Sequence, residues 1–212
     1  MNIAGEGRQA RRRSRSRDAL VGAAETLFGA RGPDAVTIDD IVASADLAKG
    51  TFYNHFADKD ALTAEVARMV RASIERRVDA ANEGISDPAA RTARALCVYA
   101  AFAVQKPDRA RALLRLALRA DDRSDPLNAG LAHDLDAGFS AGRFSGIGRV
   151  AAVMLVVGTV QQIVLRLLHV PEGAAEMARD LALAQLKGLG VKPGDAERTA
   201  AKAAAELLGD IS

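Results

Sequence analysis

Of the chain's 212 residues, one is cysteine and none is tryptophan. A single thiol, Cys97, can make neither an internal disulfide nor a cysteine-rich metal site, which excludes the disulfide-stapled scaffolds of small secreted domains. Aromatic residues are only 4% of the chain, and valine, isoleucine and threonine rarely cluster, so the side chains that favour strands are scarce. Long apolar runs are missing too. The one candidate membrane segment, Val150 to Val160, is 11 residues long and ends in Gln161 and Gln162, whereas a span needs about 20. No cleavable apolar leader is recognisable, so a cytoplasmic protein with no membrane partner is expected. Neither GxSxG, HExxH, a phosphate loop nor a dinucleotide fingerprint occurs, and Cys97 has no recognisable catalytic partner. The chain is not expected to be an enzyme or to carry a cofactor.

What is present is alanine and leucine, within a chain that is 49% hydrophobic and long enough to bury a sizeable core. These residues favour helix, and the expected fold class is all-α. Charge is balanced overall at +2 but unevenly placed. Residues 1 to 17 hold Arg8, Arg11, Arg12, Arg13, Arg15 and Arg17 against Glu6, a local charge of +5. Residues 18 to 60 hold Arg31, Lys49 and Lys59 against eight acids, a charge of −5. Such a basic arm is a common footprint of nucleic-acid binding, although a solvated tail or an organelle transit peptide has the same composition. The reading divides the chain into a disordered basic arm over 1–14, a small helical domain over 15–60 and a larger one over 61–212.

Leu20, Ala23, Ala24, Leu27 and Phe28 fall on one face of a helix that Gly32 and Pro33 end. Thr37 is placed to cap a second helix with Ile38, Ile41, Val42 and Ala45 turned inward, and Asp39 and Asp40 suit its positive end. After a connector at Asp46 and Leu47 comes AKGTFYNHFADKDAL, Ala48 to Leu62. Phe52 and Phe56 lie four apart and project to one side, leaving Lys49, Gly50, Thr51, Tyr53, Asn54 and His55 on the other. A helix–turn–helix reader of DNA needs this arrangement: a core-anchored second helix whose first residues enter the major groove. Gly50 would let the backbone approach a duplex, Thr51 can meet a base, a phosphate or a thymine methyl, and Lys49 can reach guanine acceptors. Taken singly, Tyr53 also reads as an ordinary surface residue, His55 as a solvated cation, and Lys59 as an ion-pair partner of Asp58 or Glu65.

Asp58 should cap a fourth helix reaching about Ala81, and Asp87 with Pro88 a fifth. Glycine and proline breaks then set further helices near 88–105, 108–120, 126–141, 147–169, 173–189 and 194–208. Between the middle helices, Cys97, Tyr99, Phe102, Gln105, Leu113, Leu116 and Phe139 are candidates to line an apolar cavity for a hydrophobic small molecule, or else plain core. His133, Asp134 and Asp136 do not make a convincing metal site, because sequence neighbours point apart.

Residues 15 to 62, above all VTIDDIVASADLAKGTFYNHFADKDAL, closely resemble the N-terminal domain of TetR-like transcriptional regulators. The resemblance implies that Thr37, Tyr53, His55 and Lys59 hold phosphates of double-stranded DNA, while Lys49, Gly50, Thr51 and Asn54 face bases. It implies a helical C-terminal domain that binds an effector and forms a homodimer through its last long helices, with Val150, Val153, Val157, Val160, Val164, Leu181 and Leu186 as interface candidates. A ligand-responsive repressor on a roughly palindromic operator is the function so implied. Two departures stand out: Asp46 where glycine is usual, and Ala48 where a capping Ser or Thr is common. The rival reading is a helical scaffold whose head binds protein.

Overall fold

The structure is a computed structural model that describes residues 3–117 and 129–209. Among these residues every regular element is a helix. The described residues fold as two compact units, residues 3–70 with 111–117, and residues 71–110 with 129–209.

In the N-terminal unit, α1 (Ile3–Arg31) is followed by a 3-10 turn (Pro33–Ala35), α2 (Ile38–Ser44), α3 (Lys49–Tyr53) and the first part of α4 (Lys59–Ala81). Helix α1 starts at Ile3, through residues expected to form a disordered arm. Arginine, alanine and glutamine are good helix formers, no proline interrupts them, and Ser14 donates to Asp18 one turn on at 3.3 Å. The expected boundary at residue 60 also moves. Leu62, Val66 and Val70 of α4 are buried, so its first turns complete the core of Leu20, Ala24, Phe28, Ile41, Phe52 and Phe56. Helix α1 packs on α2 and α3, and α2 on α3.

Around α5 (Pro88–Gln105) of the C-terminal unit pack α7 (Ala129–Ser140), α8 (Arg149–Leu167), α9 (Ala174–Gly188) and α10 (Pro193–Leu208); α6 (Pro107–Ala117) follows α5 in sequence. The expected ends of α6 and α7, at 118–120 and 126–128, lie outside the described residues. Asp87 caps α5 by accepting from the Ala89 N–H at 3.2 Å. Arg143 ties that cap to α10, donating to Asp87 at 3.0 Å and to Asp195 at 3.0 Å. Burial pushes the Asp87 carboxyl up, but the Arg143 hydrogen bonds and the Ala89 N–H outweigh it and hold the group below the usual carboxylate range. At one corner the Ser145 N–H donates to the Leu189 carbonyl at 2.9 Å. There Gly190 has φ 81°, and a Cβ on it would stand 2.2 Å from the Ser145 carbonyl oxygen.

Helix α8 has 19 residues and a mean hydropathy of 1.9, longer than the 11-residue run that the sequence marks out. Length and composition alone would let it cross a bilayer. Its face of Ala152, Val156, Ile163, Val164 and Leu167 is nevertheless buried within the protomer, against α5, α7 and α9.

Candidate nucleic-acid interface

Three local devices set the short helix α3. Asp46 takes the turn before it with φ 52°, in the left-handed region that short polar residues tolerate best after glycine. The Leu47 N–H then donates to the Val42 carbonyl at 2.9 Å. Ala48 starts the helix with no side-chain cap, as its identity requires. Phe52 is fully buried and Phe56 nearly so, their ring centroids 5.8 Å apart, while Tyr53 meets the Phe52 ring edge-on at 5.4 Å. The opposite flank presents Lys49, Gly50, Tyr53 and Asn54 to solvent, with Thr51 and His55 half-buried. A Cβ on Gly50 would meet no atom within 4 Å, so nothing inside the protein requires glycine there.

The cations and hydroxyls on this side are held by the protein itself. Lys49 pairs with Asp39 of α2 at 2.9 Å, and that hydrogen bond raises its ammonium above the ordinary lysine value. Thr37 closes a capping box: its hydroxyl donates to Asp40 at 2.8 Å and accepts the Asp40 N–H at 3.1 Å, and its own N–H donates to Asp40 at 2.9 Å. Those bonds, the backbone one foremost, hold the Asp40 carboxyl below its usual range against partial burial. Lys59 pairs with neither Asp58 nor Glu65. Its ammonium donates to the Pro33 and Val36 carbonyls at 2.9 and 3.0 Å, tying down the turn before α2 with two of its donors. Asp58 accepts the Ala61 N–H at 2.7 Å and caps α4.

Helix α1 brings Arg13, Ser16 and Arg17, one face at i, i+3 and i+4, to the end of α3. Arg13 donates to the Asn54 carbonyl at 3.5 Å, and Ser16 Oγ lies 2.8 Å from His55 Nε2. Arg17 turns inward rather than serving as a free arm cation: it pairs with Glu65 at 3.0 Å and its guanidinium lies 5.3 Å from the Phe56 ring centroid. Partial burial, then Arg13 and Arg17, push the His55 imidazolium below the ordinary histidine value. The ring is therefore neutral near pH 7, not the solvated cation that sequence alone allows. Arg11, Arg12 and Arg15 are exposed on α1; the Arg8 side chain lies outside the described residues. Asp39 and Ser16 escape a reading that looks only for basic and donor groups, although the i, i+3, i+4 spacing of Arg13, Ser16 and Arg17 would have located the latter.

The effector candidates separate. Cys97 and Phe102 are buried in α5, and burial pushes the Cys97 thiol up to about 12, far from nucleophilic use. Tyr99 donates to Glu75 at 3.2 Å; burial raises both groups above their ordinary values. Gln105 is exposed, and Phe139 is half-buried with Arg149 over its ring. Leu113 and Leu116 are buried within the N-terminal unit. Among the described residues no group of three or more His, Cys, Asp or Glu is placed to hold a metal; Asp134 and Asp136 instead pair with Arg91 and Arg149.

Two of the dimer candidates are corrected. Val164 and Leu186 are 1% and 0% exposed and belong to the protomer's own core, because both fall on the inward stripes of α8 and α9. Val157, Val160 and Leu181 are half-buried, and Val150 and Val153 exposed. Met154 and Leu165, not foreseen, are exposed beside them.

The family model of bacterial regulatory proteins, tetR family, matches residues 20–66. The HTH-type transcriptional repressor DhaR of Mycobacterium sp. (strain GP1) is 33% identical over 75 residues, covering 35% of this chain and 38% of that protein; the chain thus matches less than half the length of this curated relative. The structure of RolR in complex with resorcinol is 26% identical, with 91% of this chain and 96% of that one covered at a TM-score of 0.60. A TetR family transcription regulator from Marinobacter aquaeolei VT8 is 16% identical, with 85% and 98% covered at a TM-score of 0.74, a likeness of fold. The N-terminal head is thus similar to that of the tetR family of bacterial regulators, and the chain superposes along most of its length on solved structures of the same helical fold.

Proposed function

We propose that the chain is a ligand-responsive transcriptional repressor that binds a roughly palindromic operator as a homodimer, each subunit placing α3 in one major-groove half-site. One observation carries this: α3 is nailed to its core by Phe52 and Phe56 while Lys49, Gly50, Tyr53 and Asn54 stand free of the core. Lys49, Gly50, Thr51 and Asn54 read base edges. Tyr53 and His55 hold phosphates, joined by the remaining donor of Lys59; Thr37, whose N–H and hydroxyl both donate to Asp40, joins them only by releasing one of those bonds. Asp39 keeps Lys49 extended along the surface and must release it, or share it, on contact with a base. The +5 of residues 1–17 offsets the −5 of residues 18–60, so affinity for any duplex depends on α1 and falls steeply with salt.

The dimer forms on the outer face of α8, where Val150, Val153, Met154 and Leu165 are exposed and Val157 and Val160 half-covered, with Leu181 of α9 beside them. Gly158 suits a close helix crossing, since a Cβ on it would meet no atom within 4 Å of its own protomer. RolR is a structural relative bound to resorcinol, and by that likeness a small-molecule effector is assigned to the C-terminal unit here. Release follows if that molecule binds the non-operator conformation more tightly. The setting is the cytoplasm, with no enzymatic step and no cofactor.

Fluorescence anisotropy with a duplex from the gene's own upstream region, against a random duplex of equal length, tests this reading. The expected result is at least a hundredfold preference for the former with two chains per site by sedimentation. Equal affinity for both duplexes, or binding by single chains, would sink it.

A further inference from the structure

Between α1 and the end of α3 lies a groove lined by Arg13, Ser14, Arg17 and His55. Its walls are fixed from both sides: Arg13 by the Asn54 carbonyl, His55 by Ser16, and Arg17 by Glu65 and the Phe56 ring. We infer that this groove seats a single backbone phosphate of DNA and that His55 takes up a proton as the phosphate arrives. This rests on the DNA-binding reading above and adds to it a particular seat and a proton.

The chemistry follows from the groups that face the ring. From α1 come the Arg13 and Arg17 guanidiniums, the Ser16 hydroxyl and Ser14, whose hydroxyl donates to Asp18. From α4 comes Glu65, shared between Arg17 and Arg68, so Arg17 is largely neutralised and Arg13 is the cation left with spare donors. In the free protein two guanidiniums and partial burial oppose a third positive charge on the ring. An anion placed between Arg13 and His55 reverses that field. The imidazolium then becomes the favoured form, and it donates from both nitrogens where the neutral ring donates from one. Binding and protonation are thereby linked, and acid acts oppositely on the two states. For the free head, whose His55 value is depressed, stability is full above the ordinary histidine value near ~6.5 and is lost as pH falls through the lower folded value. For the complex, the same fall in pH tightens binding.

The experiment measures dissociation constants for the upstream duplex between pH 6 and pH 8, for the wild-type chain and for His55→Gln. A histidine moved upward by about one pH unit predicts binding about fivefold tighter at pH 6 than at pH 8, and a flatter profile for His55→Gln. Calorimetry in two buffers of different ionisation heat should show proton uptake only in the wild type. Identical pH profiles for the two proteins would overturn the proposal while leaving the DNA reading intact; failure of every duplex to bind at any pH would remove both. Should the variant lose its fold, the His55 ring can be followed by NMR in the wild type, and a titration midpoint that does not rise on adding duplex refutes the linkage. Inorganic phosphate alone is the control for source: an equal shift at millimolar phosphate would mark a free-anion site and overturn the assignment to DNA.

Discussion

The two units are held together by different kinds of side chain. The N-terminal unit is small and fills its centre with Phe28, Phe52 and Phe56, each aromatic ring removing far more surface from water than an aliphatic side chain of a short residue can. The C-terminal unit also buries large side chains such as Phe102, Leu96 and Leu186, but where α5, α9 and α10 pack on one another much of its contact is made by methyl groups: Ala89, Ala93, Ala100, Ala103, Ala178, Ala182, Ala196, Ala200 and Ala203 are all buried. A small domain with few contacts needs large residues at the points where its short helices meet. Long helices can instead gain from many close approaches, none of them dominant. Stability is thus concentrated in a few positions in one unit and spread over many in the other.

Phe52→Ala tests the concentrated side and should have the largest effect. Removing a fully buried ring costs about 3–5 kcal/mol, enough to unfold the head, and denaturant unfolding should show an early transition with the C-terminal helices retained. Loss of both units together would break the contrast. Ala200→Leu tests the other side: overpacking a buried position costs about 1–3 kcal/mol, expected as a modest drop in thermal midpoint with DNA affinity unchanged. A loss as large as that of Phe52→Ala would show that the C-terminal unit also depends on single positions. Gly50→Ala is the smallest and the sharpest. With open space around the new methyl, helix propensity should stabilise the head by about 0.5–1 kcal/mol, yet affinity for the upstream duplex should fall. A variant that is both more stable and tighter-binding would remove Gly50 from the interface.

The same contrast explains what could be read from the sequence. The head was legible because its signals are local. Thr37 caps α2, Asp46 supplies the left-handed turn, Phe52 and Phe56 share a face, and Asp58 caps α4, each settled by residues within a few positions. In the C-terminal unit Pro88 and Gln105 bound α5 as the breaks predict, but the faces of α8 were not decidable. Its apolar residues surround the helix, so periodicity does not separate Val164, which faces inward, from Met154, which faces out. Long-range polar contacts were equally invisible. Lys59 looks like a partner for nearby carboxylates, yet two carbonyls more than 20 residues away hold it. The arm failed for another reason: its charge argued for disorder, while its arginines and alanines are good helix formers.

Gly190 marks the tightest of these distant contacts. Where it passes Ser145, main chain lies directly on main chain, and the methyl group of even an alanine has nowhere to go. The corner therefore behaves as a weld between stretches of polypeptide far apart in order of synthesis. A library of random variants selected for soluble protein should return this codon unaltered, while Gly22 and Gly148, with open space beside them and no left-handed backbone to hold, drift.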